Sequence, residues 1–94
     1  MNNLISIITP NFNSEIFIAQ TLQSIRAQTY KNWELIIVDD CSTDKSLDII
    51  ETYSKIDNRI KVFQLNENSG AAIARNRAIK ESAGNFIAFL DSDD

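Results

Sequence analysis

The stretch Ile60-Lys61-Val62-Phe63-Gln64-Leu65 half alternates between apolar and polar residues, as a strand at the edge of a sheet does. Other short apolar runs, Leu4 to Ile8, Leu35 to Val38 and Phe86 to Leu90, are near-continuously apolar and read as strands covered on both faces. Between the runs lie stretches of helical period. Ser14 is placed to cap a helix that buries Ile18, Leu22 and Ile25. Ser42 or Thr43 is placed to cap a second, with Asp44 in its first turn and Ile49, Tyr53 and Ile56 on one face. Ser69-Gly70 opens a third, where Ala71, Ala74 and Ala78 make a small-residue stripe suited to close approach to a sheet.

The order βαβαβαβ implies a parallel sheet with right-handed crossovers. A single helix layer would leave one face of that sheet bare, so the winding must reverse. With the half-alternating run at an edge, the strand order is 3-2-1-4. The first two helices then cover one face and the third covers the other. The expected fold class is α/β, a three-layer parallel sheet with helices on both faces. The reversal falls between strands 1 and 4, and ligands of open α/β sheets bind outside the carboxyl ends of strands at such a point. The loop after Thr9 should therefore face the loop after Leu90 across the site.

Composition narrows the chemistry. The chain has 94 residues, with 9 Lys and Arg against 13 Asp and Glu, a net charge of −4. That balance argues against nucleic acid or an anionic membrane as the main partner. With 44% hydrophobic and 23% charged residues the chain reads as globular. One Cys and no His leave no internal disulfide and no Cys/His zinc site. No apolar run approaches the roughly 20 residues of a membrane span. Met1-Asn2-Asn3 lacks the basic start of a signal peptide, so a reducing cytoplasm is the expected setting. A peripheral place for the parent protein at the inner membrane face stays open. The chain stops at Leu90-Asp91-Ser92-Asp93-Asp94, straight after a strand-like run, which reads as a truncation.

The expected strand ends are polar and acidic. Strand 1 runs into Thr9-Pro10-Asn11-Phe12-Asn13, strand 2 into Asp39-Asp40, and strand 4 into Asp91-Ser92-Asp93-Asp94. Carboxylates crowded at one rim repel unless a cation or a ligand donor neutralises them. The Asp-x-Asp spacing sends alternate side chains to the same side, and oxygen-only ligation suits Mg²⁺ or Mn²⁺, which also bind substrate phosphates. A metal-bridged diphosphate is the expected ligand. Each residue also has a plainer role. Asp39, Asp40 and Asp44 would serve as turn formers or caps, and Phe12 could pack on the first helix. Arg75 and Arg77 are expected to be paired or solvated rather than to bind phosphate. Cys41 reads as a small buried residue without chemistry. Tyr30 and Trp33 belong at the foot of the sheet. Rival folds fail on content: no glycine precedes Gly70, which excludes a dinucleotide fingerprint or a P-loop after strand 1, and no histidine is present to act as a hydrolase base. A phosphatase would carry its aspartate nucleophile after the first strand rather than the last.

The ordered set of segments resembles family 2 glycosyltransferases. The segments are Ile5-Ser6-Ile7-Ile8-Thr9-Pro10-Asn11-Phe12-Asn13, Ser24-Ile25-Arg26-Ala27-Gln28-Thr29-Tyr30, Glu34-Leu35-Ile36-Ile37-Val38-Asp39-Asp40, Ser42-Thr43-Asp44, Asn68-Ser69-Gly70, Ala74-Arg75-Asn76 and Phe89-Leu90-Asp91-Ser92-Asp93-Asp94. Each is weak alone, but in this order they cover essentially the whole chain. The resemblance implies a GT-A fold that binds a nucleotide-diphosphate sugar, UDP-sugars foremost, with a divalent cation, Mn or Mg.

By the same resemblance Phe12 would stack on the base and Asp40 would hydrogen-bond it. Pro10, Asn13 and Asp39 would shape the donor pocket. Asp91 and Asp93 would form the DxD pair, Asp93 the direct metal ligand and Asp91 nearer the ribose. The implied reaction is an inverting hexosyl transfer to a saccharide or lipid-linked glycan. Its catalytic base and acceptor site would lie beyond Asp94. Residues 1–94 would thus be the donor-binding part, inactive alone and prone to self-association through the bare fourth strand. A noncatalytic nucleotide- or metal-binding module is the alternative. Where the family commonly has Gly, this chain has Cys41 and Ala78.

Overall fold

The structure, a computed structural model, describes residues 3–91. The elements follow the expected order: β1 (Ile5–Asn11), α1 (Ile18–Ala27), β2 (Trp33–Asp39), α2 (Ser46–Ile56), β3 (Ile60–Gln64), α3 (Ala71–Glu81) and β4 (Phe86–Phe89). All pairings are parallel, and the strand order is β3-β2-β1-β4. Among the described residues no helix is long and apolar enough to cross a membrane.

The two faces of the sheet are covered as the winding reversal requires. On one face Ile7, Leu35 and Ile37 pack with Ile18, Leu22 and Ile25 of α1 and Ile50 of α2. On the other, Ile8, Ile36 and Val38 meet Ala74 and Ala78 of α3. Central β2 is buried along its whole length, whereas β3 is only partly buried. β4 differs from its apolar composition: every one of its residues is exposed, because within residues 3–91 it pairs only with β1 and no helix covers it.

Several boundaries moved. β1 runs on to Asn11, so Pro10 and Asn11 sit in the strand rather than in the following loop. Ser14 does not cap α1 with its side chain. Its carbonyl accepts from the Phe17 and Ile18 amides at 2.9 and 2.8 Å, while its hydroxyl donates to Asn11 Oδ1. α2 starts later than expected, at Ser46, because Ser42 and Thr43 are drawn away to the β1–α1 turn. Asp44 does the capping instead, its Oδ1 accepting from the Ser46 amide at 2.9 Å and hydroxyl at 2.6 Å. On α2 the apolar face is centred on the fully buried Ile50 rather than on Ile56, which is 63% exposed. On α3, Ala74 and Ala78 lie against the sheet but Ala71 is exposed.

Two polar clusters hold the foot of the sheet. Asp57, after α2, takes hydrogen bonds from Arg59 (Nη2 at 2.8 Å) and from Arg26 of α1 (Nε at 3.2 Å). The Arg59 hydrogen bonds, foremost, hold its carboxyl well below the usual carboxylate range. Arg59 also lies 3.9 Å above the ring of Trp33, which with Tyr30 occupies the foot as expected. The second cluster places β4. Glu34 accepts from Ser6 Oγ and the Ala83 amide, both at 2.6 Å, and from Lys61 Nζ at 2.9 Å. Burial alone would raise the Glu34 carboxyl, but these hydrogen bonds together bring it below its ordinary value.

Candidate functional site: a cleft at the carboxyl ends of β1, β2 and β4

A parallel pair sends partners in register to the same face, and neighbours along each strand to opposite faces. Asn11 and Asp39 are such partners. Both are buried, and Asn11 Nδ2 donates to Asp39 Oδ1 at 2.8 Å and to Ser46 Oγ at 3.1 Å. The residues that follow them, Phe12 and Asp40, emerge on the opposite side and line one cleft with Pro10, Asn11, Ala71, Arg75 and Asp91. Its volume is about 360 Å³. The ends of β1 and β4 meet here, as the topology required, and the Leu90 amide donates to the Ile8 carbonyl at 3.0 Å.

Asp40 is anchored by its own surroundings. Its Oδ1 accepts from the Ser69 amide at 2.7 Å and its Oδ2 from the Gly70 amide at 2.9 Å, just ahead of α3. Asn68 Nδ2 donates to its carbonyl at 3.2 Å. Gly70 has φ 95°, a conformation that only glycine adopts without strain. The Asn68-Ser69-Gly70 segment is thus the cradle of a carboxylate set at the start of α3, where the helix dipole favours negative charge. Each carboxylate oxygen keeps a second lone pair for a further donor.

The other expected residues fall on two sides of the strand ends. Phe12 is 50% exposed and borders the cleft instead of packing under α1. Pro10 and Asp91 border it too. Asp39 is 1% exposed and fully engaged, its Oδ1 accepting from Asn11 and from Ser42 Oγ at 2.6 Å and its Oδ2 from the Ser42 amide at 3.0 Å. Asn13, at φ 48°, faces the β2–α2 loop: its Oδ1 accepts from the Thr43 amide at 2.8 Å and its amide donates to Ser42 Oγ at 3.0 Å. Asp44, which receives the Glu15 amide at 3.0 Å, closes the same loop pair. Burial would raise its carboxyl, but hydrogen bonds from Ser46 and Glu15 keep it low. Asp93 lies outside the described residues.

The two arginines of α3 differ in their placement. Arg77 is paired as expected, with Glu81 at 2.9 Å. Arg75 is half-buried in the wall of the cleft, and no ion pair among the described residues includes it. Its signal was present in the spacing, since Ala71 and Arg75 stand four apart and share a helix face at the end nearest the strand termini.

No group of three or more His, Cys, Asp or Glu that could hold a metal occurs among the described residues. The acids bordering the cleft are Asp40 and Asp91. An oxygen-only donor set of this kind is chemically suited to Mg²⁺ or Mn²⁺.

The comparisons with known proteins agree with one another. The model of "Glycosyl transferase family 2" matches residues 6–94. TuaG of Bacillus subtilis (strain 168), by name a teichuronic acid biosynthesis glycosyltransferase, is 54% identical over 91 residues, which is 97% of this chain and 36% of TuaG. The chain thus spans about a third of that relative's length. Among solved structures, Staphylococcus aureus TarS 1–349 in complex with UDP-GlcNAc superposes with a TM-score of 0.88 at 43% identity, over 95% of this chain and 26% of that one. The mannosyltransferase PcManGT of Pyrobaculum calidifontis, in complex with GDP-Man and Mn²⁺, gives 0.87 at 25% identity, over 95% and 27%. The sheet order and helix placement are those of GT-A glycosyltransferases, and the chain belongs to glycosyl transferase family 2.

Proposed function

We propose that this chain is the donor-binding part of an enzyme that transfers a hexosyl group from a nucleoside-diphosphate sugar, foremost a UDP-sugar, to a saccharide or lipid-linked glycan. One observation carries the reading: an exposed aromatic, an anchored carboxylate, an arginine outside every ion pair among the described residues and a second carboxylate border a single cleft where the winding of the sheet reverses. Phe12 offers a flat face to a base. Asp40 accepts from an N–H on the edge of that base, which suits uracil. Arg75 is placed to meet a phosphate oxygen with its planar fork of donors. TarS with UDP-GlcNAc and PcManGT with GDP-Man support this class of donor by likeness.

Asp91, together with Asp93, would hold the divalent cation, and Mn²⁺ in PcManGT supports such an ion. When bound there it would neutralise charge growing on the departing diphosphate. The chain's own residues bind and orient the donor. In the proposed inverting displacement the base that deprotonates the acceptor, and the acceptor site, are supplied by chain beyond Asp94. Residues 1–94 alone should bind donor weakly and transfer nothing. A cytoplasmic setting, peripheral at the inner membrane face for the whole protein, belongs to the same proposal.

Titration calorimetry with UDP and Mn²⁺ tests the reading. Saturable, cation-dependent binding that drops about tenfold or more in Phe12→Ala and in Asp40→Asn is expected, each loss being about 1.4 kcal/mol or greater. Binding that ignores the cation, or that both variants leave unchanged, points to a noncatalytic module and refutes the donor site. Sugar transfer from labelled donor by the 94-residue chain would refute the assignment of the base to chain further on.

A further inference from the structure

Phe12 borders the cleft with half of its surface exposed. A ring on a loose turn must be ordered when a base stacks on it, and that ordering subtracts from affinity. The residues on either side of it are anything but loose. Asn11 is buried and donates to Asp39 and Ser46, while its Oδ1 accepts from Ser14. Asn13 accepts the Thr43 and Asp44 amides at 2.8 and 3.3 Å and donates its own amide to Ser42 Oγ. Asn11 itself borders the cleft. Ser14 apart, the partners of Asn11 and Asn13 lie at the end of β2, in the β2–α2 loop and at the start of α2, and they tie the end of β1 to that loop.

We infer that Asn11 and Asn13 are positioning residues for Phe12: they pin the backbone on both sides of it to the β2–α2 loop, so that the ring stands ready at the cleft before nucleotide arrives. The inference rests on the cleft being a nucleotide site. Asn suits position 13 for two reasons. It tolerates a φ of 48° better than most residues, and its side-chain oxygen reaches two amides that a strand-to-helix turn would otherwise leave unpaired.

The test is a double-mutant cycle read by UDP titration in the presence of Mn²⁺. Asn13→Gly keeps the positive φ available and deletes the side-chain acceptor. It should weaken UDP by about tenfold in the parent chain, yet by less than about twofold in a Phe12→Ala background, since coupling is confined to residues that act together. Asn13→Asp, which retains an acceptor oxygen and tolerates the same φ, should bind as the parent does. Amide exchange without nucleotide gives a second readout. Exchange at residues 13 to 15, whose Asn13 and Glu15 amides are held by Ser42 and Asp44, should quicken in Asn13→Gly and not in Asn13→Asp.

Equal losses in both backgrounds, or unchanged affinity and exchange in Asn13→Gly, overturn the inference and leave the nucleotide site standing. Failure of the unaltered chain to bind UDP overturns the site itself, and the inference with it.

Discussion

At Cys41 the backbone turns through φ 60°, a conformation that glycine adopts without steric cost. The thiol donates to the Leu65 carbonyl at 3.2 Å, a weak bond that a turn residue can lose. Cys41→Gly should therefore melt within a few degrees of the parent, relief of strain offsetting the greater freedom of glycine when unfolded. Cys41→Val should melt clearly lower, since β-branched residues are outliers at such a φ. Equal melting temperatures for Gly and Val would show that φ is not what matters at this position. Gly84 is constrained differently. A Cβ there would come within 2.7 Å of the Leu4 carbonyl and 2.8 Å of the Ser6 amide, backbone atoms with nowhere to go. Gly84→Ala should cost on the order of 1–3 kcal/mol, the usual range for overpacking, read as a shift in the denaturation midpoint at constant slope. The sequence showed that glycines are scarce but not what each does, because close approach is made by residues 78 and more positions away. Asp39 and Asp40 show the same limit. They are identical in type and adjacent, and only the side each faces separates an internal brace from a cleft wall.

Elements were easier to read than their ends. Apolar runs and helical period located every strand and helix, because burial imposes a period that a sequence must carry. Ends were misplaced where side chains preferred a partner in another loop: Ser14 went to Asn11, and Ser42 and Thr43 to the β1–α1 turn. Such pairings leave no local periodicity. Among the elements, α3 depends most on size. Ala78 is fully buried against Ile8, Ile36 and Val38. Ala78→Leu should destabilise by about 1–3 kcal/mol through overpacking, whereas Ala78→Gly should cost about 1 kcal/mol of helix propensity. Chemical denaturation of both variants checks the ranking, and an Ala78→Leu chain as stable as the parent would mean that α3 can stand away from the sheet. The foot of the sheet gives a pH dependence. Asp57 braces α1 to the start of β3 through Arg26 and Arg59, and those contacts depress its carboxyl. A depressed carboxyl contributes stability that is complete above its ordinary value of about 3.9 and is lost as pH falls below that toward the folded value. The parent should lose stability through that acid range, and Asp57→Asn, weaker at neutral pH, should lose less on acidification. Parallel acid limbs for the two chains would show that Asp57 is not the titrating brace.

Across the whole molecule the site was legible because topology, not local sequence, brings the ends of β1, β2 and β4 to one rim. The winding reversal needed only the helix count and one edge strand. Arg75 was not legible by that route: its spacing from Ala71 assigns it a helix face near the strand ends, but not whether an acid elsewhere in the fold pairs with it. The same topology that builds the rim leaves β4 bare. Its free edge carries no charge or proline to discourage pairing, and Phe86 and Phe89 are 57% and 60% exposed on its two faces. Beside it, under α1, lies a hollow of about 380 Å³ bordered by Phe17, Ile25 and Leu90 among others. An uncapped parallel edge with apolar faces is a template for another strand, and in relatives about three times longer there is chain enough to cover it. The 94-residue chain is expected to cover it with a second copy. Light scattering should show a molar mass that rises with concentration. Phe89→Lys places a charge on the free edge strand on the α3 side, and it should lower that mass while leaving the α1–α2 core and its far-ultraviolet circular dichroism unchanged. A chain that stays monomeric at every concentration would show that the exposed strand is tolerated without a partner. If the mass rises but Phe89→Lys has no effect, association runs through another surface, the hollow under α1 being the first to probe with Phe17→Ser.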